Sequence, residues 1–155
     1  LSLGIEISNP GHQFNYKKFS KKQINSLIKL SRFLIKKYKI KSNLILGHSD
    51  IAPDRKIDPG EKFPWMYLSR NKISYWHSVE PKTLLVNRNK KVSKLEKDIF
   101  VKNVYKLGYT QNLSFNKTKF MKILTVAFQR RFRQELVNGI IDQECLFISK
   151  NLIKT

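Results

Sequence analysis

A chain of 155 residues, 41% of them hydrophobic, can bury the core of one ordinary domain or of two small ones. Its single cysteine, Cys145, excludes an internal disulfide framework, and no apolar run is long enough to span a bilayer. With 31 Lys and Arg against 11 Asp and Glu the formal charge is +20, a strong attraction for polyanions; yet no zinc-finger, homeodomain or RNP-type aromatic pattern accompanies it, so no specific nucleic-acid partner is expected.

In chain order, Leu3–Ile7 reads as a strand, followed by a turn at Asn9-Pro10-Gly11-His12. Ser20-Lys21-Lys22-Gln23 is a capping-box pattern that opens a helix, and Ile24, Leu27, Ile28, Leu34, Ile35 and Tyr38 recur behind it at helical spacing. Leu44-Ile45-Leu46 reads as a second, buried strand. The expected fold class is therefore α+β, a mixed β-sheet with helices laid over it. Tyr67 and Leu68 fit a short helix after Pro64. Residues 79–92 lose periodicity around Pro81 and read as a connection between domains. Three apolar helical runs follow: Leu95 to Leu107, closed by Gly108; Phe120 to Phe132; and Leu146 to Ile153, with Asp142 as the N-cap of the last. Within the second run Phe128 and Phe132 read as core, while Gln129 and Arg131 stay open between a solvated and a binding role. The expected division is 1–78, a connection at 79–92, and a small helical domain at 93–155.

The densest chemistry lies in Gly47-His48-Ser49-Asp50-Ile51-Ala52-Pro53-Asp54-Arg55-Lys56-Ile57-Asp58-Pro59-Gly60. His48 and Asp58 are both metal-ligand types, set ten residues apart in one loop. Pro53, Pro59 and Gly60 restrict the backbone between and behind them, favouring the return of Asp58 toward His48 that a preorganised metal site requires. Taken alone, the same residues also suit a loop histidine held by local hydrogen bonds. Glu6 then reads equally as a surface carboxylate beside lysines, and Lys56 as one more solvated charge.

This loop resembles the GHSDIAPxRKxDPG segment of the zinc-dependent N-acetylmuramoyl-L-alanine amidases, the AmiD-like branch included. Leu3-Gly4-Ile5-Glu6-Ile7 with Asn9-Pro10-Gly11-His12 resembles the family's IGIE strand and NPGH turn, and Phe63-Pro64-Trp65 resembles its FPW closure. Three ordered motifs over roughly the first 77 residues are more specific than any one of them. Farther on, Leu107-Gly108-Tyr109, Ala127-Phe128-Gln129-Arg130-Arg131-Phe132 and Asn138-Gly139 resemble the small three-helix peptidoglycan-binding domain of AmiD-like proteins.

The resemblance implies hydrolysis of the amide between N-acetylmuramic acid and the first L-alanine of the stem peptide. His48 and Asp58 are implied as Zn2+ ligands, Glu6 as the catalytic carboxylate, and Lys56 as the charge that stabilises the transition state. Each role suits its chemistry: zinc with an open position lowers the pKa of bound water toward ~7, a carboxylate moves the proton, and an ammonium faces the oxyanion. The family's site needs one more histidine, upstream of the stretch where this chain begins; neither His12 nor His77 occupies that position. An amino-terminally truncated enzyme is therefore expected, with weak activity of these residues by themselves. The implied partner is peptidoglycan or muropeptides, and the implied location is the bacterial periplasm or cell envelope, with peripheral association through the basic surface. A catalytically dead wall-binding remnant is the other reading, and a basic nucleic-acid binder the third.

Overall fold

The computed structural model describes residues 2–110 and 116–154. Among them the helices are α1 (Lys21–Tyr38), α2 (His48–Ile51), α3 (Trp65–Arg70), α4 (Pro81–Asn87), α5 (Lys94–Lys106), α6 (Lys117–Phe132) and α7 (Gln143–Leu152), with a 3-10 turn at Ser42–Leu44. Helix α1 opens on the expected capping box. The Ser20 hydroxyl accepts from the Gln23 N–H at 3.2 Å, and the Gln23 side chain accepts from the Ser20 N–H at 2.9 Å, satisfying two donors that a helix start leaves free. Ile24 and Ile28, one turn apart, bury themselves against Phe63, Trp65, Leu68 and Ile73 to make the amino-terminal core.

The expected α+β fold with a mixed sheet is not what forms: no described residue lies in a strand, and the regular structure is all helical. At Leu44–Leu46 the backbone groups a ladder would use are taken otherwise. The Leu44 and Ile45 N–H groups close turns onto the Lys41 and Ser42 carbonyls, and the Ile45 carbonyl accepts from Arg131. Leu44 and Leu46 are exposed rather than buried, as are Leu3 and Ile5, while Ile7 touches the amino-terminal core. A three-residue apolar run is too short for periodicity to separate a strand from anything else.

The carboxy-terminal core gathers Phe100 and Val104 of α5, Leu124 and Phe128 of α6, and Leu146 and Ile148 of α7. Helix α5 has a capping box of its own at Ser93 and Glu96, and its chain leaves through Gly108 at φ +98°, as expected of a glycine at a helix end. Asp142 caps α7, accepting from the Cys145 N–H at 3.0 Å. The non-periodic stretch 79–92 holds a helix after all: Pro81 stands in the first turn of α4, where a missing N–H costs nothing. Leu84 packs on the carboxy-terminal core, and Arg88 grips Glu144 with two bonds of 2.7 Å. Gln129 is buried, not solvated. Its amide accepts from the Asn138 and Gly139 N–H groups at 2.9 and 2.8 Å and donates to the Ile140 carbonyl at 2.9 Å, which fixes the turn between α6 and α7. Trp76 packs against both cores.

Candidate active site

The 47–60 loop is built from its buried side outward. The Gly47 N–H donates to the Asp50 carboxylate at 2.8 Å, capping the short α2 that begins with His48. Asp50 is buried and accepts two further bonds, from the Tyr109 hydroxyl at 2.6 Å and from the Arg131 guanidinium at 3.0 Å. Arg131 is buried too, which closes the solvated alternative for it. Its second terminal nitrogen donates to the Ile45 carbonyl at 3.0 Å, and its guanidinium lies 3.4 Å over the Trp65 ring. Burial lowers the Arg131 pKa, and Asp50 and Tyr109 work against that fall. Burial raises the Tyr109 hydroxyl well above its ordinary value, and the charge of Asp50 adds to the rise, so Tyr109 stays a neutral donor.

The far limb returns because the Ser49 N–H donates to the Asp58 carbonyl at 3.0 Å. Close approach here demands glycine at position 47, since a Cβ would stand 2.6 Å from Pro59 and 3.3 Å from Trp65. At the exit, the Tyr16 hydroxyl donates to the Pro59 carbonyl at 2.6 Å and accepts from the Lys62 N–H at 2.9 Å. Burial pushes this hydroxyl up to about 12, beyond what its backbone hydrogen bonds offset.

The outcome is that His48 Nδ1 and Asp58 Oδ2 stand 2.5 Å apart with both side chains about half exposed. The two side chains meet in a direct hydrogen bond, the contact that the loop-histidine reading also allows. Glu6 is exposed, and no hydrogen bond or ion pair among the described residues joins it to the pair. Lys56 is also exposed. Its backbone N–H bonds to the Ala52 carbonyl at 2.9 Å, and its ammonium makes no bond to the pair. His12 is engaged elsewhere, 3.0 Å from Glu61 and stacked on Tyr16. Burial would raise the Glu61 carboxyl, but its own backbone N–H, the bond with His12 and the charges of His12 and Arg130 together hold it low. His77 is half-buried, and burial lowers its pKa.

In donor type His48 and Asp58 suit zinc as two of the three protein ligands a catalytic site takes, although here they are hydrogen-bonded to each other. Among the described residues no group of three His, Cys, Asp or Glu side chains is placed to hold a metal ion, so the pair alone is an incomplete set. Sequence reasoning passed over Asp50, Tyr109, Arg131 and Tyr16. Asp50 had a visible signal, a carboxylate three residues after Gly47 at the start of a helix. Arg131 had none, because one arginine among 31 basic residues carries no mark of burial.

Residues 1–61 match the family model of N-acetylmuramoyl-L-alanine amidase, Amidase_2. The chain is 30% identical over 158 aligned residues to N-acetylmuramoyl-L-alanine amidase AmiD of Escherichia coli, covering 99% of this chain and 57% of AmiD. It is 42% identical over 71 residues to 1,6-anhydro-N-acetylmuramyl-L-alanine amidase AmpD of Haemophilus influenzae, covering 44% of this chain and 36% of AmpD. The solved structure of E. coli AmiD with the substrate anhydro-N-acetylmuramic acid-L-Ala-D-gamma-Glu-L-Lys is similar at a TM-score of 0.79 and 30% identity, over 91% of this chain and 55% of that one. AmpDh3 of Pseudomonas aeruginosa in complex with anhydromuramic pentapeptide is similar at a TM-score of 0.74 and 26% identity, over 91% and 55%. The chain thus spans about half the length of the AmiD it aligns with. In its first 61 residues by family model, and along most of its length by sequence and fold, the chain is similar to the AmiD/AmpD-like N-acetylmuramoyl-L-alanine amidases.

Proposed function

We propose that the 47–60 loop carries part of a hydrolase site for the amide joining N-acetylmuramic acid to L-alanine, acting on peptidoglycan or anhydro-muropeptides during cell-wall turnover. The observation that carries this reading is the 2.5 Å approach of His48 and Asp58 on a solvent-facing loop within the segment that matches the amidase family. The pair supplies two zinc donors, fewer than the three protein ligands a catalytic site takes. When bound, zinc supplies an acidified water and polarises the scissile carbonyl. With zinc held, Glu6 would be the carboxylate that moves a proton from water to the leaving amine, and Lys56 the charge facing the oxyanion. Both roles rest on motif resemblance, since neither side chain touches the pair. Residues 93–155 serve as a helical wall-binding unit, and the chain works in the periplasm or envelope, where its +20 charge favours anionic surfaces.

A second reading, an inert wall-binding protein, is favoured by the absence of a three-donor group among the described residues. Zinc titration separates the two. Zinc uptake by the chain, weak or tight, that is lost in His48→Ala and Asp58→Ala supports the hydrolase. No zinc uptake, with the chain still sedimenting with insoluble peptidoglycan, supports the inert binder; failure of both measurements removes both readings.

A further inference from the structure

Outside the His48 loop, a cleft of about 450 Å³ opens beside the carboxy-terminal ends of α1 and α3, lined by Arg32, Ile35, Lys36, Arg70, Asn71 and Lys72. Four of these six residues are cationic and none is acidic. No ion pair among the described residues includes any of the four. All four are exposed, and one of them, Arg32, is tied to the neighbouring helix. Arg32 donates to the Asn71 side chain at 3.0 Å, and that side chain donates in turn to the Tyr67 carbonyl at 3.0 Å, tying the guanidinium into α3. Ile35 packs on the amino-terminal core and gives the cleft a fixed apolar wall. Lys72 sits at φ +60°, as Lys39 beyond the end of α1 does at φ +54°.

The charge balance selects the ligand. The carboxy-terminal ends of α1 and α3 lie nearby and offset part of this positive charge, leaving a surplus. One carboxylate would leave most of that surplus unmatched. A group with two or more negative charges and several acceptor oxygens matches it, and two guanidinium forks suit such oxygens. We propose that this cleft binds a phosphate-bearing anion, a phosphomonoester or pyrophosphate, whether free in solution or carried on a lipid headgroup.

The test uses the full chain at physiological ionic strength, where loose attraction of exposed charges is screened over about 8 Å. Pyrophosphate is titrated by calorimetry, and binding is measured to phosphatidylcholine vesicles with and without phosphatidic acid. A variant with Arg32→Gln, Lys36→Gln, Arg70→Gln and Lys72→Gln is compared with one in which Lys17, Lys18, Lys90 and Lys91 are changed to Gln, which removes the same charge from exposed positions elsewhere. Circular dichroism confirms that both fold. The expected result is an affinity loss of about tenfold or more in the cleft variant and little change in the control. Response to pyrophosphate alone assigns a soluble ligand, and response to phosphatidic acid vesicles alone assigns a lipid headgroup. Equal loss in both variants, or no binding by the unmodified chain in either arm, overturns the proposal.

Discussion

Asp50 receives donors from three parts of the chain: the Gly47 backbone, the Tyr109 hydroxyl and the Arg131 guanidinium. It is 5% exposed and Arg131 3%, so deleting one partner leaves the other buried without its counter-charge, a loss of about 3–5 kcal/mol. Arg131→Leu is therefore expected to lower unfolding stability by roughly 3 kcal/mol in a denaturant titration. The double variant Asp50→Leu with Arg131→Leu should lose less stability than the two singles summed, because neither charge is left without the other. A double variant as unstable as the sum of the two singles would show that the two side chains are not coupled. The pair also shows where sequence reading stops. His48 and Asp58 were legible because ligand types and prolines sat together in one short loop, whereas the Arg131 that braces the loop lies 81 residues from Asp50 and looks like any basic residue on a helix.

Helix α6 joins two cores. Besides Arg131, it places Phe132 against Trp76, and Gln134 just beyond it donates to the Phe63 carbonyl at 2.7 Å. The carboxy-terminal core is drawn mainly from α5, α6 and α7, so residues 81–154 are expected to fold when produced separately. Residues 2–78 produced alone lose both Tyr109 and Arg131 as donors to Asp50, and the His48–Asp58 loop should lose its order. Amide and imidazole NMR signals of the amino-terminal fragment would report this; dispersed loop signals matching the intact chain would refute it. The same boundary explains which elements could be read in advance. Helix α1 and the Asp142 cap of α7 carried their own start signals in Ser20, Gln23 and Asp142. The supposed strand at Leu44–Leu46 had only apolarity, and its conformation depends on Arg131 bonding to the Ile45 carbonyl from far along the chain. Helix α4 hid behind Pro81, which ends helices more visibly than it starts them.

Over the whole molecule, burial sets a limit on the alkaline side. It pushes the Cys145 thiol from 9.0 up to about 12 and the Tyr16 hydroxyl from 10.0 to about 12, and it raises Tyr109 as well. The folded chain thus keeps protons that the unfolded chain releases, so this contribution to stability is full below about pH 9 and declines as pH rises toward 12. Cys145 alone should give a slope approaching about 1.4 kcal/mol per pH unit above its unfolded value. Urea midpoints between about pH 8 and 11 are expected to fall, and Cys145→Ala should remove the earliest part of the fall; parallel curves for both proteins would exclude the thiol as its source. The chain has two tryptophans, and both meet α6: Trp65 lies under the Arg131 guanidinium, and Trp76 stands 5.7 Å from the Phe132 ring. With no indole elsewhere, tryptophan emission comes from the seam between the two cores, and the protein carries its own optical gauge of whether α6 is seated.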